Sequence, residues 1–193
     1  MSLTKSLVRL ALVTAFLLLI PLVAMQFTQE VNWTFSDFVF AGVMLFGAGL
    51  TFILVARARM GNSGTYRLAA GVAVAAGLLL VWANAAVGLV GSEDNPVNLL
   101  YGAVLVVALV GAIVARFRPR GTANAMFAAS FTYALITVLA LFVWTPTGAA
   151  AEPAAPLLNV VVANGIFAAL WAVAGILFRR ADTTSTGFKQ QLA

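Results

Sequence analysis

The chain has 193 residues, of which 63% are hydrophobic and 9% charged, with a mean hydropathy of +1.03 and a formal net charge of +5. Soluble domains carry about 25% charged residues and about 45–50% apolar ones, so a soluble globular fold is excluded. The chain contains neither Cys nor His, which removes disulfides, zinc sites built on those residues, bis-His haem ligation and His general bases, and no cofactor is expected.

The apolar residues form six runs, at about 7–27, 37–56, 68–90, 98–115, 124–144 and 157–178. Each approaches the ~17–25 residues that cross ~30 Å of hydrocarbon as a helix. They are too long and continuous for the alternating ~10-residue segments of a barrel. The predicted fold is all-α, a polytopic bundle of six helices arranged as three consecutive hairpins over residues 1–180. The polar tail 181–193 is expected to be disordered.

The first run follows Lys5 and Arg9 and ends Pro21-Leu-Val-Ala-Met-Gln-Phe, with no small-x-small cleavage site, so a retained helix is expected. The connection to the second run holds Glu30, and Asp37 opens that run. Arg57, Arg59 and Arg67 lie between the second and third runs, and Arg116, Arg118 and Arg120 between the fourth and fifth. Arg179, Arg180 and Lys189 follow the sixth. With Lys5 and Arg9 these are all eleven bases, and they fall on one side of the topology. The alternate connections carry Glu30, Asp37, Glu93, Asp94 and Glu152, five of the six acids, leaving Asp182 with the bases. This positive-inside pattern puts both termini in the cytoplasm. The bases are juxtamembrane and meet lipid headgroups; nucleic acid is not an expected partner.

The densest unusual stretch runs from Trp82 to Tyr101, between the third and fourth spans. Asn95 suits an N-cap and Pro96 a first helical turn. The functional alternative is an outer polar cluster of Asn84, Glu93, Asp94, Asn98, Tyr101 and Asp37, in which the carboxylates draw a cation. Two adjacent loop acids are weak ground for a metal site, and none is assigned.

Inside the spans, small and polar residues recur at helical spacing: Gly77, Val81, Asn84 and Gly88; Ser130, Tyr133 and Thr137; Asn164, Ala168, Trp171 and Gly175. Such stripes mark faces where helices approach closely. Asn84, Thr137 and Asn164 each sit about 10 Å below the outer surface at ~1.5 Å per residue. They are expected to form an intramembrane hydrogen-bonding layer. Trp33, Phe35, Tyr101 and Trp144 are expected in the outer aromatic belt, and Tyr66 in the inner one. No Asp, Glu, Lys or Arg falls mid-span, which argues against proton pumping or antiport by this chain alone.

The segments Met25-Gln-Phe-Thr-Gln-Glu-Val-Asn-Trp33 with Asp37-Phe38, Trp82 to Tyr101, and Ala115-Arg-Phe-Arg-Pro-Arg-Gly121 resemble a group of small bacterial six-span inner-membrane proteins, over about residues 20–125. The resemblance implies the same architecture and a bacterial plasma membrane, and carries no activity. Three functional readings follow from the residues: a non-enzymatic membrane subunit or scaffold packing through small-residue faces; a channel or facilitator for a neutral or cationic solute; and, third, a lipid-modifying enzyme using Glu93, Asp94, Asp37 or Tyr101. The expected partners are the bilayer and a membrane protein or second copy of the chain.

Overall fold

The protein is described from a computed structural model, which covers residues 2–57, 64–90, 95–142 and 157–191, with side chains of the last helix described up to Asp182. The described residues are helical and contain no strand. The elements are α1 (Leu3–Ala24), α2 (Phe35–Arg57), α3 (Gly64–Ala86), a 3-10 helix (Pro96–Tyr101), α4 (Gly102–Val114), α5 (Pro119–Phe142) and α6 (Leu157–Gln191). Six helical segments are long and apolar enough to cross a membrane, the 3-10 helix and α4 together forming one of them. The protein is therefore a multi-pass integral membrane protein.

The chain divides into two compact units, Met1–Arg57 and Ala58–Ala193. The first is the α1–α2 hairpin. Its helices run antiparallel, with Gly42 facing Leu18 and Gly49 pressed against Leu10. The Arg57 guanidinium closes the open end, donating to Ser2 O at 3.2 Å and Ser6 Oγ at 2.9 Å. Ser2 caps α1 by accepting from Lys5 N. At the start of α2, Asp37 Oδ2 accepts from Thr34 N at 2.7 Å and from Thr34 Oγ1 at 2.8 Å. Both bonds run from Thr34 to the carboxylate, which satisfies the amide of the residue just before the helix.

The second unit is a bundle of four spans. α6 packs on α5 and α3, and α4 packs on α5. α3 meets α4 where Gly77 faces Leu105. The spatial order is thus α3, α6, α5, α4, and the main partner of α3 is α6 rather than its chain neighbour α4. Small residues make the approach close. A methyl group at Gly111 would lie 2.6 Å from Ala125 Cβ, and one at Gly121 2.6 Å from Ala115 Cβ. Ala69, Ala70, Ala76, Ala123, Ala129 and Ala174 are all buried. In hydrocarbon, dispersion between close backbones replaces the hydrophobic drive that water would supply.

Element ends differ from the sequence expectation at instructive places. α3 stops at Ala86 rather than 90, because Gly88 adopts φ 71° and turns the chain. α5 starts at Pro119, not 124, with the proline in the first turn, where its missing N–H costs nothing. α6 continues as helix to Gln191, across the tail where composition predicts disorder.

Candidate functional site

The polar side chains of the four-span bundle converge at the end opposite its arginines. Their centre is Asn164 on α6, only 2% exposed. Its Oδ1 accepts from Tyr101 Oη at 3.1 Å and from Tyr133 Oη at 3.0 Å. Its Nδ2 donates to Leu89 O at 3.1 Å and to Val160 O, one turn back, at 2.8 Å. An amide offers two donors and two lone pairs, and here all four are used. Tyr101 and Tyr133 are fully buried, and Thr137 is 8% exposed. The rings of Tyr101 and Tyr133 tilt together at 4.8 Å between centroids, and Phe167 stacks on Tyr133 at 5.9 Å.

The hydroxyls leave one arrangement that wastes no contact between side chains. Tyr101 Oη lies 3.0 Å from Thr137 Oγ1, which lies 3.1 Å from Tyr133 O. Three hydroxyl protons face four contacts. If both tyrosines donate to Asn164, Thr137 must donate to Tyr101 and leave Tyr133 O to its helix partner. If Thr137 instead donates to Tyr133 O, either Tyr101 and Asn164 or Tyr101 and Thr137 face one another without a hydrogen. The first arrangement places a hydrogen in every contact between these side chains, so it is the one that burial selects.

Asn98 in the 3-10 helix forms the second part. Its Oδ1 accepts from Leu89 N and Val90 N, both at 3.0 Å. The left-handed Gly88 aims these successive N–H groups at one point, the nest geometry that normally receives an anion. Asn98 O accepts from Asn84 Nδ2 at 2.8 Å. Asn95 caps the 3-10 helix by accepting from Val97 N at 3.0 Å, with Pro96 next, as the sequence predicts.

Asn84, Thr137 and Asn164 therefore belong to one network, but their bonds run through Asn98, Leu89 and Tyr101 rather than directly between them. Asn84 is closer to its helix end than the sequence places it, since α3 is shorter. Its Oδ1 is buried and has no partner among the described residues, as is the case for Thr122 Oγ1 and Trp171 Nε1. Tyr101 and Tyr66, expected in the aromatic belts, are core residues instead. Tyr66 Oη donates to Phe117 O at 2.9 Å, and its ring meets Phe178 edge-on.

Of the remaining predicted cluster, Asp37 caps α2 in the separate hairpin, and Glu93, Asp94 and Glu152 lie outside the described residues. Among the described residues no three His, Cys, Asp or Glu side chains come together. Sequence reading missed two participants. Tyr133 was placed on a packing stripe but not in the network, and the Leu89–Val90 backbone has no side-chain signature beyond Gly88.

No protein-family model matches the chain, and neither the curated proteins nor the solved structures contain a match. The bacterial group named above gains no support from them.

Proposed function

We propose that this chain is a non-enzymatic membrane subunit or scaffold of a bacterial plasma membrane, with both termini cytoplasmic. One observation carries the reading: the polar side chains buried within the bundle bond chiefly to one another and to backbone. Asn164 has no valence left for a solute, and Phe167 stacks on the ring of its partner Tyr133. The basic ends support the orientation. The partner is a second membrane protein or another copy of the chain.

A facilitator for a neutral or cationic solute is the second reading. It rests on the buried Asn84 Oδ1, an acceptor without a partner among the described residues. Gentle extraction of the tagged chain from its native membrane, followed by native mass spectrometry, separates the two. A stoichiometric partner or a homo-oligomer is expected. A clean monomer that conducts solute into liposomes, and ceases to in Asn84→Leu, would overturn the subunit reading.

A further inference from the structure

The arginine-bearing end of the bundle holds one base whose direction is unusual. Gly175 on α6 is level with Phe127 on α5, since a methyl group there would lie 2.9 Å from Phe127 Cε1. Arg179 is one turn further along α6, yet its Cζ sits 5.0 Å from the centroid of the same ring. Its Nη2 reaches Asn124 Oδ1 at 3.4 Å. The guanidinium thus doubles back along α6 to a level one to two turns inside α5. At ~1.5 Å per residue that is about 7–12 Å from Pro119 toward the apolar middle of the span. Long basic side chains at helix ends ordinarily extend the other way, toward water.

Both partners of Arg179 are neutral. Among the described residues no carboxylate pairs with it; Asp182, the one acid at this end, lies a turn nearer the end of the chain. Arg120, Asn124, Phe127 and Phe131 follow one another at i, i+4, i+7 and i+11 along α5, so they share a face. Arg120, Asn124 and Arg179 are exposed, and Phe131 is 70% exposed. The surface therefore changes from two guanidiniums and an amide to bare aromatic carbon along a single stripe.

We propose that this stripe is a binding site for one anionic phospholipid of the leaflet at the bundle's arginine-bearing end. The phosphodiester sits between Arg179 and Arg120, with the Asn124 amide beside it, and an acyl chain lies along Phe131. Charge selects the lipid class. A phosphodiester on an uncharged alcohol presents only negative charge to the two bases, whereas a zwitterionic headgroup adds an ammonium beside them. The cation–π contact with Phe127, whose ring rests on Gly175, and the bond to Asn124 hold the guanidinium before the lipid arrives.

Native mass spectrometry of the full chain, titrated with phosphatidylglycerol, phosphatidylethanolamine or inorganic phosphate, tests this. Phosphatidylglycerol should be retained about tenfold better than phosphatidylethanolamine, and Arg179→Gln should remove about that preference, the scale of one charge-assisted hydrogen bond. Arg67→Gln deletes the same charge from α3, on the other side of α6, and should leave retention within about twofold. If Arg179→Gln does not fold, the exposed Arg120→Gln carries the same expectation at about threefold. Equal losses in the α3 and α6 variants would reduce the site to general surface charge. Equal retention of the two lipids, or full competition by free phosphate, would also overturn it.

Discussion

The two ends of the four-span bundle are held by different physics. At one end Leu89 and Val90, just past α3, present backbone amides that need partners no helix provides. Asn98 and Asn164 supply them, and two tyrosines and a threonine surround Asn164 so that its own valences are filled. At the other end α4 and α5 are joined by a tight turn, with Phe117 N bonded to Ala112 O and Arg118 N to Ala115 O. That turn bonds itself and needs one side chain, Tyr66. Its cost is conformational instead: Arg116 and Phe117 are both left-handed, at φ 50° and 55°. The described Leu89–Val90 backbone is thus stabilised by buried amides, and the short α4–α5 turn by its own bonds, close packing and tolerated strain.

The sharpest way to break the polar end is Asn164→Leu. Leu89 O loses its donor, and the Tyr101 and Tyr133 hydroxyls lose their acceptor, all in a buried site. At ~1–3 kcal/mol per buried group left unpaired, moderated by re-pairing in the membrane, a loss of about 3 kcal/mol is expected in reversible unfolding by SDS in mixed micelles. A loss below that of Tyr66→Phe would show that the network does not hold this end together.

At the packed end the test is Gly111→Ala. The new methyl meets Ala125 Cβ and, at 3.4 Å, its Cα, neither of which can rotate away. About 1–3 kcal/mol of overpacking is expected. Ala125→Gly in the same chain should restore much of it, because the two positions are in contact and their effects couple. Additive losses in the double variant would mean that α4 and α5 do not approach here as described.

This contrast also marks what the sequence made readable. Spans depend on length and hydropathy, which a single chain displays, so all six emerge. The end of α3 does not, because Val87, Leu89 and Val90 are as apolar as the helix before them. Hydropathy cannot distinguish an apolar helix from an apolar loop, and Gly88 was the available cue. Proline at 119 likewise announces α5 five residues before its apolar run begins. The expected layer of Asn84, Thr137 and Asn164 identified three members of the network but not its wiring. Depth along a helix is readable from spacing, whereas the azimuth that aims Tyr101 at Asn164 depends on how α4, α5 and α6 pack. Tyr66 and Tyr101 are expected at the interface because a phenol suits both a wet boundary and a satisfied core, and only the packing decides.

Tyr66→Phe tests the side-chain hydrogen bond to the tight turn. It removes the donor to Phe117 O and leaves the ring against Phe178. A loss of about 1 kcal/mol is expected. No change in the same unfolding assay would mean that the turn is held by its own backbone bonds alone.

The smallest expected effect has the opposite sign. Arg116 is exposed and left-handed, a conformation that costs a residue with a Cβ about 1–2 kcal/mol. Glycine adopts it freely, but raises the entropy of the unfolded chain. Arg116→Gly should therefore stabilise the bundle by a few tenths to about 1 kcal/mol, while Arg118→Gly, nearby and not left-handed, should not. Stabilisation by both would assign the gain to relief of repulsion among the arginines, and raising the salt concentration would then abolish it. Stabilisation by the first alone, unchanged by salt, would locate the strain at the turn and confirm that this end of the bundle tolerates it because the helices on either side are packed too closely to let the connection relax.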